Sequence, residues 1–339
     1  MDPAQLTRDV WRVDADGFPA GGTVAEQARF LLRYAVLAPS SHNTQPWSFA
    51  VDDDGTVAVR GVEDRWLREA DPDRREFHLS LGCAVETLRI AAGRFGLACR
   101  VVTPPSGPVV ARVEVGPGGN PHRDVALFDR ITERYTDHRP FRWTPVPTPV
   151  VERVRDEVAD FDVSLRLVRE ERPKRAIAEL QAAADRAQMG SEAYRRELGR
   201  WIGNGALGDS WPFARVGRAA VTHLNVGGRE ARRNAALIES APAVAVLSTA
   251  DDDRGSRVAA GRAFQRVALV ASAAGLAVHP MSQILERPAR RETLRGLLDL
   301  DARPQHLFRL GFADGSRRHT PRWPAEAVTV DGGATAGEE

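Results

Sequence analysis

Two stretches of this chain, 82–97 and 261–276, repeat one another and so restrict the architecture available to it. Both begin with Gly and run at the same spacing into Gly-Leu-Ala, as Gly96-Leu97-Ala98 and Gly275-Leu276-Ala277. Apolar residues recur between these points, with Ala92 matching Ala271. Each copy follows a Val-Ala-Val strand core (57–59 and 244–246) and an acidic turn, Asp64-Arg65 in one case and Asp253-Arg254 in the other. A strand of similar character comes after each. One apolar helix resembles another by chance, but a strand, turn, helix and strand repeated in order does not. The pattern predicts an α+β chain built from two related halves, each burying a helix against a mixed sheet.

Local signals fill in the rest. Thr23 and Glu26 form a capping-box pair ahead of apolar residues spaced by three and four (Val24, Ala28, Leu31, Leu32, Ala35, Val36), and Pro39 ends that helix. Strands at 47–51 and 56–60 flank an Asp-Asp-Asp-Gly turn. A long helix is predicted over 74–95, with strands at 98–103 and 109–115. Beyond residue 123, helices are predicted at 124–134, 149–159, 171–199 and 256–274, and strands at 243–249 and 306–312. Residues 1–22 read as a loose arm and 331–339 as a disordered tail. The halves are then 1–123 and 124–330. Residues 195–229 carry many Gly, Trp and Arg residues without a period, which fits a functional lid or a plain surface connection.

Composition removes whole classes of function. The 339 residues are 42% hydrophobic and carry a net charge of only +1, so neither a nucleic-acid stripe nor a polybasic membrane patch is expected. The longest apolar run, 267–278, is too short to span a bilayer, and the N-terminus lacks the apolar core of a signal peptide. Two cysteines, Cys83 and Cys99, cannot make a disulfide scaffold, and a reducing cytoplasmic setting follows. Cys83 reads as core. The eight histidines show no metal-ligand spacing; His42 and His138 fit a ligand contact and an ordinary hydrogen-bonding role equally. No Gly-Lys-Ser/Thr loop or Gly-x-Gly-x-x-Gly fingerprint occurs. Lys174 is the one lysine, so phosphate contacts fall to Arg, hydroxyls or backbone N–H groups.

The segment Pro39-Ser40-Ser41-His42-Asn43-Thr44-Gln45-Pro46-Trp47 packs hydroxyls and amides between a helix end and a strand start. Composition alone suits a capped turn and a loop for a polar, planar ligand equally. Its form, Pro-Ser-Ser-x-Asn-x-Gln-Pro-Trp, closely resembles the flavin loop of nitroreductases. Arg134-Tyr135-Thr136-Asp137-His138-Arg139 resembles the family's Arg-x-Ser/Thr-x-(x)-Arg motif for the FMN phosphate, one residue longer than usual before Arg139. Gly275 to Gln283 resembles the segment that passes the flavin ring edge, and Thr320-Pro321-Arg322-Trp323-Pro324 falls where the family sets a further phosphate-binding arginine.

The order of these pieces departs from an ordinary nitroreductase, where the phosphate motif precedes the Pro-Ser-Ser loop and the functional unit is a homodimer. A fused pseudo-dimer of the Acg type accounts for it. The resemblance then implies one FMN per chain in a monomer. Pro39, Ser40, Ser41, Asn43 and Gln45 come from the first half; Arg134, Thr136, Arg139, Pro280, Met281, Ser282, Gln283 and Arg322 come from the second, with Arg317 and Arg318 as substitutes for Arg322. It also implies NAD(P)H as electron donor and a small-molecule nitro, quinone or related conjugated acceptor, with no catalytic side chain. The alternative is an FMN-sequestering protein whose lid closes over the flavin and prevents turnover.

Overall fold

The first helix shows how local chemistry sets the elements. Thr23 caps α1 (Val24–Ala35): its hydroxyl accepts from the Glu26 N–H at 3.2 Å, and Glu26 Oε2 accepts from the Thr23 N–H at 2.8 Å. Two N–H groups that the helix leaves orphaned are thereby satisfied. The computed structural model describes residues 5–122, 124–205, 221–222, 227–315 and 319–330. β1 (Trp47–Val51) and β2 (Thr56–Gly61) form the expected hairpin, turning at Gly55 with φ +87°. α2 (Arg75–Arg94) begins where Asp71 accepts from the N–H groups of Glu76 and Phe77, at 3.0 and 2.8 Å. It gives way at Gly96, φ +74°, to β3 (Leu97–Val102) and β4 (Val109–Pro117).

α3 (Val125–Ile131), α4 (Thr148–Ala159) and β5 (Val163–Val168) follow. The helix predicted over 171–199 is two helices, α5 (Glu171–Gly190) and α6 (Glu192–Gly203). Ser191 divides them: its backbone is extended and its hydroxyl accepts from the Tyr194 N–H at 3.3 Å. Next come α7 (Gly227–Glu239), β6 (Ala243–Thr249), α8 (Arg254–Ala273) and β7 (Ala277–Pro280). The chain closes with α9 (Pro288–Leu297), β8 (Arg303–Gly311), α10 (Ala325–Val328) and β9 (Thr329–Val330). β5, α7, α9, α10 and β9 have no counterpart in the sequence reading. The predicted tail, 331–339, lies outside the described residues.

The strands form two sheets, ordered β3-β4-β2-β1-β9 and β7-β8-β6-β5, and every neighbour pair is antiparallel except β1 with β9. Leaving out β9, the two orders correspond strand for strand. Each sheet also carries a bulge at the matching place, Val59/Arg60 in one and Leu247/Ser248 in the other. The Val-Ala-Val match needs correction by one residue. Val101 and Pro280 occupy the same distance past Gly96 and Gly275; Val101 pairs with Val113 and thence Val57, whereas Pro280 pairs with Phe308 and thence Ala245. Val57 therefore corresponds to Ala245, since a one-residue slip would turn every side chain to the other face.

α2 and α8 cross at the centre of the main core. A Cβ on Gly82 would lie 2.2 Å from the Val258 carbonyl oxygen, and one on Gly261 would lie 2.0 Å from that of Leu79. The contact is reciprocal, each glycine meeting the carbonyl one turn before the other. Nearby, Arg266 of α8 reaches Glu86 of α2 (3.0 Å), Asp124 (2.6 Å) and Glu157 of α4 in one buried network. A second core lies behind the other sheet, where Val244, Val246 and Leu307 meet Ile177, Ile238 and Leu294. β6 is buried on both faces and so reads as a continuous apolar run. No described helix is long and apolar enough to cross a membrane.

Candidate functional site

The loop between α1 and β1 is held in an uncommon backbone form. His42, Asn43 and Gln45 all have positive φ, 48°, 55° and 48°. Such conformations cost free energy in non-glycine residues and persist only when surroundings enforce them. Here the enforcement is visible. The Gln45 N–H donates to Ser40 Oγ (2.9 Å), Asn43 Nδ2 donates to the Pro321 carbonyl (2.8 Å), and Gln45 Oε1 accepts from the Trp323 N–H (2.9 Å). Arg65 donates to the Gln45 carbonyl at 2.6 Å and lies 4.3 Å from the Trp323 ring centre. Burial pushes the His42 imidazole down to about 4, so it is neutral at physiological pH. Pro39, Ser40 and Ser41 remain half-buried. Gln45 is fully buried and both ends of its amide are spent inside the protein, so its side chain helps to build the loop.

Beside this loop lie Arg134 and Arg322, each 3% exposed. Arg134 Nη2 donates to the Leu37 carbonyl (3.1 Å) and Arg322 Nη2 to that of Ala38 (3.3 Å), where α1 runs into the loop. Arg322 also donates to Thr320 Oγ1 (2.6 Å). The Nε of each has no partner. Burial depresses Arg134 to about 10, and Arg322 is pushed down by burial and then by the like charge of Arg134. Guanidinium groups stay protonated. The depression therefore reflects two cations buried together with no carboxylate partner among the described residues, an arrangement that an incoming anion would relieve.

The N-terminal arm completes this wall, and its described residues, 5–22, are held in place where a loose arm was expected. Thr7 and Arg322 exchange both backbone hydrogen bonds at 2.9 Å. Trp11 Nε1 donates to the Thr320 carbonyl (2.9 Å), and its ring lies 5.2 and 6.0 Å from the Arg322 and Arg134 guanidinium carbons. Trp11 escaped sequence reasoning; the one signal was a large aromatic in a largely polar arm. Arg139, expected at the phosphate, closes its fork on Asp137 (2.6 Å) with its side chain 40% exposed. Thr136 contributes a backbone bridge to Val278, which sets the segment after Arg134 alongside β7.

A model of the nitroreductase family matches residues 131–312. The chain belongs to that family. The match takes in Arg134 to Arg139 and the segment at 280–283, and leaves the 39–46 loop and Arg322 outside it. The chain is 33% identical over 316 residues to "Putative NAD(P)H nitroreductase Rv3131" of Mycobacterium tuberculosis, covering 90% of each chain. It is 29% identical over 310 residues to "Putative NAD(P)H nitroreductase acg" of the same organism, covering 88% of this chain and 92% of the other. Its place is in the Acg-type branch. Among solved structures, the FMN-dependent nitroreductase NfnB from Mycobacterium smegmatis in complex with NADPH aligns with 60% of this chain and 91% of its own, at 17% identity and a TM-score of 0.38.

The segment after β7 sits opposite the start of α2, with His306 between Ser282 and Glu76. The Met281 side chain lies 1% exposed in the second core beside Ile284 and Leu285, which leaves its backbone as the part that could border a ligand, and its N–H donates to the Leu307 carbonyl at 2.8 Å. Pro280 ends β7, Ser282 Oγ meets His306 Nδ1 (3.0 Å), and Gln283 Oε1 accepts from Gln181 Nε2 (2.8 Å). Glu286 takes the Gln188 amide, and burial holds its carboxyl well above the usual range. Of the expected lid, 206–220 and 223–226 lie outside the described residues, as do Arg317 and Arg318. The described flank is anchored: Glu197 of α6 accepts from the Ala70 N–H at 3.0 Å. No group of His, Cys, Asp and Glu fit for a metal occurs among the described residues.

Proposed function

We propose that this nitroreductase holds one FMN per chain, with its phosphate at Arg134 and Arg322, and works as an NAD(P)H oxidoreductase on a nitro, quinone or related conjugated acceptor. The carrying observation is the buried arginine pair, whose Nε atoms and charges find no partner and no carboxylate among the described residues. Two guanidinium forks and a hydroxyl suit a phosphate dianion, and Thr320 and Thr136 stand on the same segments. Ser40, Ser41 and the backbone of the strained loop would border the ring on one side, and the 280–283 backbone on the other. FMN, when bound, supplies the two-electron chemistry. The chain's tasks are to neutralise the phosphate, orient the ring and exclude water, with the Trp11 ring closing over the two cations.

The matching strand orders, matching bulges and reciprocal glycine crossing support an internal duplication into halves near 1–123 and 124–330. In that reading one chain does the work of a dimer, so a cytoplasmic monomer is expected. β9 fits as well, since it leaves the second half to pair with β1 of the first.

The test is the visible spectrum of the purified chain, followed by NADH or NADPH without oxygen. Bleaching of bound flavin by either nucleotide supports the oxidoreductase. Flavin that only dithionite bleaches supports the sequestering alternative. A chain that neither carries nor binds FMN ends both readings. Arg134→Met removes one of two unmatched cations. It is expected to weaken FMN binding roughly 10- to 100-fold while leaving the melting temperature of the flavin-free protein unchanged or higher. Unchanged FMN affinity would overturn the phosphate assignment.

A further inference from the structure

We propose that Glu76 and His306 are positioning residues that fix which way the Ser41 and Ser282 hydroxyls point, so that Ser282 presents a hydrogen-bond donor and Ser41 an acceptor. The identity of the ligand between them rests on the FMN reading; the hydroxyl polarity does not.

The two serines belong to segments 241 residues apart that a four-group chain connects. Ser41 Oγ lies 2.7 Å from Glu76 Oε2, at the start of α2. Glu76 Oε1 lies 3.5 Å from His306 Nδ1, on β8. His306 Nδ1 lies 3.0 Å from Ser282 Oγ, just beyond β7. Glu76 is 4% exposed, His306 1% and Ser282 7%, so water does not compete for these bonds.

Protons can be assigned along this chain by elimination. The Arg75 guanidinium lies 2.6 Å from Glu76 Oε1 and holds the carboxyl well below its usual range despite burial. An ionised carboxylate only accepts. Ser41 must then donate its one proton to Glu76, which leaves its lone pairs facing outward. An imidazolium at His306 would carry a proton on Nδ1 in any case, so only the two neutral tautomers have to be told apart. With the proton on Nε2, a bare Nδ1 lone pair would face the carboxylate, and an N–H would be buried without a partner, because Nε2 has none. With the proton on Nδ1, the N–H points to Ser282 Oγ in the field of Glu76. The cost is then one unpaired acceptor beside the Phe264 ring, which lies 4.3 Å away centre to centre. Orphaned N–H groups are rarer than under-used acceptors, so the Nδ1–H form is favoured. Ser282 Oγ then accepts from His306, and its own O–H is left to donate.

A planar ligand between these segments thus meets a donor from the second half and an acceptor from the first. Sequence reasoning named both serines and neither Glu76 nor His306, because the pairing crosses 230 residues.

The experiment uses the full chain labelled with 15N-histidine. Long-range 1H–15N spectra report the tautomer of each imidazole, and the signal missing from His306→Phe identifies His306. The Nδ1–H form is expected at neutral pH; an Nε2–H form overturns the proposal whatever the protein binds. In parallel, FMN is titrated into wild type, Ser282→Ala, His306→Phe, His306→Asn and the Ser282→Ala/His306→Phe double variant, each checked for folding by circular dichroism. Ser282→Ala and His306→Phe should each weaken FMN about 5- to 10-fold. The double variant should be no worse than either single change, and His306→Asn, which keeps a donor near the Nδ1 position, should restore most of the loss. Additive losses, or an Asn variant as weak as Phe, would sink the positioning role. Wild type that shows the Nδ1–H form yet binds no FMN would leave the polarity standing and remove the FMN reading alone.

Discussion

Asp185 illustrates what burial does to a single charged residue here. It is 3% exposed and accepts from Gln181 Nε2 and Asn234 Nδ2, both at 2.9 Å. Two neutral donors do not replace lost water, and desolvation raises its carboxyl to about 6. The folded protein therefore binds the proton more tightly than the unfolded chain, whose aspartates titrate near 3.9. The stability this contributes is complete below that value and is lost as pH rises through 6, by on the order of 3 kcal/mol. Asp185→Asn should remove that slope. Urea-unfolding free energies of both proteins from pH 4 to 7 check it; parallel curves would refute the assignment. Glu286 is raised in the same sense, so the difference between the two proteins is the quantity to read. None of this was legible in the sequence, where Asp185 is one acidic residue among many on a helix.

At the scale of elements, the α2–α8 crossing is the contact with least tolerance. Gly82→Ala or Gly261→Ala would press a methyl group into a backbone carbonyl, at 2.2 and 2.0 Å, and neither helix can yield without moving. Each should cost about 3 kcal/mol, at the upper end of overpacking penalties. Gly93 lies on the same α2 with open space around its missing Cβ, and Gly93→Ala should stabilise by roughly 0.5–1 kcal/mol. Thermal unfolding of the three variants tests the contrast; equal effects at Gly82 and Gly93 would mean that the close approach carries no strain. The glycines themselves were conspicuous in the sequence as the first residue of each repeat. Their reason, a reciprocal helix crossing, was not. Long helices and strands with strong periods were legible to within a few residues. β9 was not, because two residues joining a distant sheet edge leave no local pattern.

The molecule as a whole is tied across its centre by charge as well as by packing. Arg266 faces Glu86, Asp124 and Glu157, and the network extends through Arg89 and Arg262 to Glu86. These groups come from α2, α4, α8 and the start of α3. Arg266→Met would leave three buried carboxylates short of their central cation, and should cost about 3–5 kcal/mol in denaturant unfolding. Arg89→Met, at a side chain 21% exposed, should cost far less. A loss of similar size in both would indicate that Arg266 is not the hub.

Legible from the residues alone were the α+β class, the two long helices with their terminal glycines and the loop at 39–47, while the family resemblance put Arg134, Arg139 and Arg322 forward as separate phosphate candidates. These are carried by local period, capping chemistry and motif spacing, which need no tertiary context. Only the tertiary structure decided which of the named residues face outward. It turned Gln45 and Met281 inward, matched Arg139 to Asp137, and brought Trp11, Glu76 and His306 to the site from elements far apart in the chain. Burial and partner choice at those positions are set by what the rest of the chain packs against them. A motif fixes residue types and spacing, but it does not say where each hydrogen bond is spent.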